Sequence, residues 1–131
     1  MNLIILDDAF QHRKVIPTYS LLLSDYSNLY FNDYLLPRGS LRESKKGSKR
    51  ADSIVITKCP ENFSQSDKNY LINRVKLSSN QHIFFSKIKY SEELHSSSDT
   101  LNIMKLSNKK VNVVTGIVNS EVLISFLEDR I

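Results

Sequence analysis

Leu3-Ile4-Ile5-Leu6-Asp7-Asp8-Ala9-Phe10-Gln11-His12 is the stretch whose reading decides the fold. Four apolar residues end in two adjacent carboxylates, then an aromatic ring, an amide and an imidazole. Residues 3–6 predict a short buried strand. A buried strand that ends in acids delivers them to the edge of a sheet. One or two carboxylate oxygens there hold a hard cation that bridges phosphates. A plain Asp-Asp turn after a strand is the competing reading, because Asp is common in turns.

Outward from this stretch, strands and helices alternate. Ser20-Leu21-Leu22-Leu23-Ser24 predicts a second strand, and Asp25-Tyr26-Ser27-Asn28 a turn. Residues 29–36 are aromatic and apolar and stop at Pro37, which predicts a short helix ending before the proline. Residues 37–50 read as a basic loop punctuated by Pro, Gly and Ser. Asp52-Ser53-Ile54-Val55-Ile56-Thr57 is the strongest strand signal, β-branched and bounded by Pro60. Ser64 to Leu77 predicts a helix and His82 to Ser86 a strand; the Ser- and acid-rich segment 91–100 predicts a surface loop. Val111 to Thr115 predicts a strand ending at Gly116. Residues 119–130 predict a helix opened by Asn119-Ser120-Glu121, with Val122, Leu123, Phe126 and Leu127 at helical spacing. The pattern is that of an α/β fold with a mainly parallel sheet and flanking helices, one unit over residues 1–131.

Composition narrows the class. The 131 residues suffice for one core, and 40% hydrophobic with 24% charged residues is a globular balance. No apolar run is long enough to span a bilayer, and residues 1–6 lack the pattern of a signal peptide. The single Cys59 excludes an internal disulfide and a cysteine zinc cluster; it reads as half-buried filler. The net charge of +4 is local: Arg38, Arg42, Lys45, Lys46, Lys49 and Arg50 face one acid, Glu43. That suits a phosphate clamp better than a diffuse nucleic-acid surface, with a solvated flexible loop as the plain alternative. Neither a G-x-x-x-x-G-K-[ST] phosphate loop nor a G-x-G-x-x-G motif occurs. A metal-phosphate strand without a phosphate loop looks like half of a site.

Four ordered motifs carry a resemblance. Leu6-Asp7-Asp8-Ala9-Phe10-Gln11-His12-Arg13 resembles the D-D-[GA]-F-Q-H-R signature of the tetraacyldisaccharide 4'-kinase (lipid A 4'-kinase) family, with Ala9 at the position more often Gly. Leu35-Leu36-Pro37-Arg38-Gly39-Ser40-Leu41-Arg42-Glu43 is similar to its L-L-P-x-G-x-L-R-E segment. Arg38 stands where Ala is common. Arg50-Ala51-Asp52 with the following strand resembles R-A-D-x-[VI]-[VI], and Thr115-Gly116-Ile117-Val118-Asn119 resembles T-G-I-A-N.

The resemblance implies an incomplete P-loop-kinase-like fold: the central part of the kinase, without the family's phosphate loop and its C-terminal His segment. It also implies a reaction, in which the γ-phosphoryl of ATP moves to the 4'-hydroxyl of a tetraacyldisaccharide 1-phosphate in lipid A biosynthesis. The implied cofactors are Mg2+ and ATP. The implied partners are the lipid A precursor, the missing parts of the kinase chain and the cytoplasmic face of the inner membrane, touched peripherally. On its own the segment is expected to be soluble and catalytically incompetent, and no nucleic-acid partner is expected.

Roles follow residue by residue. Asp7 and Asp8 are the metal and catalytic candidates, one approaching the cation and the other acting through water or capping the turn. Gln11 would bind the cofactor and His12 would act at the site, as orienters of water or substrate. Phe10 would anchor the turn by packing. Arg42 is the phosphate-clamp candidate, because its planar fork holds two oxygens at once. Glu43 is either an ion-pair partner for a neighbouring cation or, by the resemblance, a further magnesium ligand. Lys45, Lys46 and Lys49 read as a solvated face drawn to anions. Arg50 and Asp52 are expected to pair with each other. Lys58, at the end of the strongest strand, is a nucleotide-binding candidate by fold analogy. Two readings from other classes are a basic nucleic-acid-binding module and a non-catalytic kinase remnant.

Overall fold

A computed structural model describes residues 2–131. The chain divides into two compact units, one up to Ile88 and one from Lys89 onward.

The first unit is built on a three-stranded parallel sheet: β1 (Leu21–Asp25), β2 (Ser53–Thr57) and β3 (His82–Phe85), in that spatial order. Leu21 lies opposite Ser53, and Ser53 opposite His82, so β2 is the central strand, paired along both edges. β2 is a continuous β-branched run, the pattern of a strand covered on both faces, but here Val55 is only half-buried and lies between exposed Leu23 and Phe84 on the open face. Ser53, Ile54 and Ile56 are buried. The hydroxyl of buried Ser53 shares a hydrogen bond with Tyr19 Oη at 2.5 Å. β1 is an edge strand, where Leu22 packs against the core while Leu21 and Leu23 face out.

The α-helix α1 (Gln65–Val75) lies between β2 and β3 in the chain. Ser64 Oγ accepts from Asp67 N at 3.2 Å, and Asp67 Oδ2 accepts from Ser64 N at 2.9 Å. This reciprocal pair is a capping box and fixes the helix start. Leu71 carries the helix into the core with Ala51, Ile54, Ile56 and Cys59. The hydrogen bond from the Ser64 hydroxyl, then the one from its backbone, holds the Asp67 carboxyl below its ordinary range. A depressed folded-state value means that this contribution is present above the ordinary carboxylate range. It is lost as pH falls through the lower folded value. Ser64→Ala is therefore expected to lower the urea midpoint at neutral pH, and by less in acid where Asp67 is protonated. Urea melts at the two pH values check this.

In the second unit β4 (Glu93–His95) and β5 (Thr100–Asn102) form an antiparallel hairpin. A 3-10 helix follows at Ile103–Leu106, and Ile103 is fully buried. The helix α2 (Glu121–Glu128) places Phe126 4.9 Å from the ring of Tyr90 and 4.0 Å beneath the Arg130 guanidinium. Among the described residues, no helix is long and apolar enough to cross a membrane.

Five expectations are corrected. Residues 3–6 form no strand; they pair with no strand among the described residues and are exposed, Ile4 by 85%. An apolar run becomes a buried strand only with a ladder partner and cover, and no described residue pairs with this one. Val111 to Thr115 fails to form a strand for the same reason, with Val114 97% exposed. Residues 29–36 form turns instead of a helix. Asp33 Oδ1 takes the N–H of Tyr34 at 2.6 Å, and its carboxylate also accepts from the backbone and hydroxyl of Ser40. A short acid that captures nearby backbone N–H groups competes directly with helix formation. These bonds, that of the Ser40 hydroxyl foremost, hold the Asp33 carboxyl below its ordinary range. The segment 91–100 contains β4 and the start of β5. Its Ser and Asp content belongs to the hairpin tip, where Ser96 Oγ accepts from Asp99 N at 2.9 Å. The basic segment 37–50 is loop only in its first part, because Lys45–Arg50 coils into a 3-10 helix capped by Ser44.

Candidate functional site

The acidic turn is made by local hydrogen bonds. Asp7 Oδ1 accepts from Asp8 N at 3.0 Å, and Asp8 takes the left-handed conformation at φ 46°. Asp enters that region more readily than most residues because its short polar side chain bonds locally. His12 N then donates to Ala9 O at 2.9 Å, and Val15 N to His12 O at 3.2 Å. The chain turns immediately after Asp7, so the two aspartates sit on a turn and not on a strand. Phe10 turns inward against the core.

The second part comes from the loop after residue 33. Leu41 N donates to Tyr34 O at 3.0 Å and Leu36 N to Leu41 O at 3.0 Å, closing a tight loop. A Cβ at Gly39 would stand 2.3 Å from Tyr34 O, so the loop closes only with glycine there. Its exit aims Arg42 at the acidic turn, and Arg42 Nη1 meets Asp8 Oδ2 at 2.9 Å. Glu43 is held by Arg50, Nη2 to Oε1, at 2.7 Å. The same Nη2 donates to Phe10 O at 3.1 Å, and the guanidinium lies 4.7 Å over the Phe10 ring. Phe10, Gln11, Leu22, Tyr30, Arg42 and Glu43 border a small open cleft of about 70 Å³.

Asp8, Gln11, Arg42 and Glu43 thus come together from two segments more than thirty residues apart. His12 is exposed beside them on the turn. Lys58 is not in this group. It follows β2, whereas Arg50 precedes it, and its Nζ pairs with Asp25 Oδ2 at 2.6 Å. That bond, more than any other influence, holds the Asp25 carboxyl below its ordinary range. The expected Arg50–Asp52 pair does not form, because Asp52 Oδ2 accepts from Ser20 N at 2.7 Å and so fixes the entry to β1. Lys45 is less free than a solvated face implies, since its Nζ donates to Phe31 O at 2.8 Å. Cys59 is buried, and burial pushes its thiol up.

Among the described residues no three His, Cys, Asp or Glu side chains gather into a cation cage. Magnesium in phosphotransferases is held by one or two carboxylates together with phosphate oxygens and waters. Two adjacent Asp on one exposed turn supply that number of protein ligands, so the donor set fits.

The family model of tetraacyldisaccharide-1-P 4'-kinase matches residues 1–130. The chain belongs to the tetraacyldisaccharide-1-P 4'-kinase family. Tetraacyldisaccharide 4'-kinase of Flavobacterium johnsoniae is 36% identical over 129 residues, covering 98% of this chain and 38% of that protein. The namesake from Bacteroides thetaiotaomicron is 38% identical over 129 residues, covering 91% of this chain and 34% of that protein. That of Parabacteroides distasonis is 46% identical over 91 residues, covering 70% of this chain and 25% of that protein. The chain spans little more than a third of the length of these curated kinases. No solved structure matches it.

Proposed function

We propose that this chain is the central segment of a longer kinase. That kinase transfers the γ-phosphoryl of ATP to the 4'-hydroxyl of tetraacyldisaccharide 1-phosphate, at the cytoplasmic face of the inner membrane. The single observation behind this reading is the Asp8–Arg42 contact at 2.9 Å, which unites the two most specific family motifs at one place. Both side chains are more than half exposed. An exposed pair of this kind contributes under about 1 kcal/mol, so it opens readily in favour of stronger partners. Asp8 then turns to a cation and Arg42 to phosphate oxygens, each exchanging a single charge for a multiply charged partner.

In this reading Asp7 and Asp8 hold Mg2+, which neutralises the β- and γ-phosphate oxygens when bound. Arg42 clamps phosphate with its planar fork. Gln11 and His12 orient substrate or water above the cleft. Glu43 is either a further cation ligand or the partner that keeps Arg50 in place. Lys58, at the C-terminal edge of the parallel sheet, is suited to the nucleotide base or ribose, as that edge is in other open α/β sheets. The sheet itself is P-loop-kinase-like. The 131-residue segment alone is not catalytically competent.

The test is transfer of labelled γ-phosphate to tetraacyldisaccharide 1-phosphate. The whole kinase is expected to label the lipid in a Mg2+-dependent way, and the 131-residue chain alone to label none. Failure of the whole kinase to label it would overturn the reading. So would tight binding of the chain to oligonucleotide that weakens steeply with salt.

A further inference from the structure

We infer that Arg50 is a positioning residue: it holds the Asp7-Asp8 turn in register with the Arg42-Glu43 loop. The inference about catalysis rests on the function proposed above; the inference about the turn does not.

The base of Arg50 is fixed before its side chain begins. Ala51 next to it is buried. The amide of Gln81 donates to Ser48 O at 2.8 Å and to Ala51 O at 2.7 Å, so the 3-10 helix Lys45–Arg50 is tied to the approach to β3. From this anchor one guanidinium reaches both motifs. Nη2 bonds Phe10 O on the acidic turn at 3.1 Å and Glu43 Oε1 on the arginine loop at 2.7 Å. The guanidinium carbon also lies over the Phe10 ring, 4.7 Å from its centroid. Its side chain is about one-third exposed, less than those of Arg42 and Asp8. The bare backbone of Gly47 makes room for this bridge, since a Cβ there would lie 2.8 Å from both Arg50 Nη1 and Glu43 Oε1. Arg42 and Asp8 are exposed and free to change partners, whereas Arg50 spans the segments that carry them. A residue that orients ligands from behind typically alters affinity or activity by about 10–100-fold.

Hydrogen exchange on the 131-residue chain tests the turn. Arg50→Gln is expected to speed exchange of the amides of residues 9–15 several-fold and leave those of β2 unchanged. Gly47→Ala, which displaces the bridge without removing a charge, is expected to act in the same direction. It decides the question if Arg50→Gln loosens β2 as well. In the whole kinase Arg50→Gln is expected to lower kcat at least about tenfold and raise the Mg2+ concentration for half-maximal rate. KM for ATP should stay within about twofold, and Arg50→Lys, which keeps a donor and the charge, should recover part of the loss. Unchanged exchange at residues 9–15 in both variants would overturn the positioning of the turn. A kcat loss in Arg50→Gln with no change in Mg2+ dependence would overturn the catalytic part. If the parent kinase transfers no phosphate, the proposed function fails while the exchange result still decides what Arg50 does.

Discussion

Asp8→Asn in the whole kinase lowers kcat at saturating ATP by about 10²–10³-fold. The substitution keeps size and shape and removes only the negative charge. Asp8 sits at φ 46°, a conformation that Asn adopts as readily as Asp, so the turn survives the change. What is lost is the anionic oxygen, now 2.9 Å from Arg42, that would hold the cation. Phosphoryl transfer depends on neutralising charge spread over the transferred group's oxygens, and a neutral amide does little of this. Kinetics at several Mg2+ concentrations check the prediction, and the Mg2+ requirement should rise together with the fall in rate. Glu61→Gln is the control, because Glu61 pairs with Lys87 at 3.0 Å on the open surface. An unchanged rate and Mg2+ dependence in Asp8→Asn would remove Asp8 from the mechanism.

The second large effect is on stability. Ile56→Ala costs about 2–5 kcal/mol, through the lost burial and the cavity left behind. Ile56 is 0% exposed and stands in β2, which has a hydrogen-bonded neighbour on each side. Single domains are stable by only about 5–15 kcal/mol, and this sheet has three strands with an open outer face on β1. The loss is therefore a large share of the total and is expected to lower the urea midpoint clearly. Leu21→Ala serves as the comparison. Leu21 is equally apolar but 54% exposed, and its loss is expected to cost well under 1 kcal/mol. Urea denaturation followed by circular dichroism separates the two. Equal effects would mean that the core is not centred on β2.

What the sequence made legible follows from how local each signal is. β2 could be read because Ile54, Val55 and Ile56 are β-branched without interruption, the residue type that fits a pleated central strand. α1 could be read from the partial stripe of Tyr70, Leu71 and Val75, and the structure adds the Ser64–Asp67 capping box at its start. Residues 3–6 and 111–115 carry the same kind of apolar signal, yet a strand is a property of a pair, and composition does not supply the partner. Residues 29–36 misled because a single side chain, that of Asp33, redirected the backbone. β4 and β5 were masked by the polar tip between them. In the site, Asp8 and Arg42 were legible through their motifs, and the structure adds that they touch. Arg50 was legible only as a motif member. Its bond to Phe10 spans 40 positions and leaves no periodicity to detect. Its pairing with the nearby Asp52 was the natural local guess, and the backbone N–H of Ser20 had already taken that carboxylate.

In the proposed function the acidic turn and the arginine loop would form one phosphate-handling site. A double-mutant cycle on kcat of the whole kinase, with Asp8→Asn, Arg42→Ala and the two combined, tests it most directly. Residues that act as a unit lose little more together than apart. Each single variant is expected to fall by about 10²-fold or more, and the double variant to lie close to the worse of them. Losses that multiply, or an Arg42→Ala kinase as fast as the parent, would contradict it.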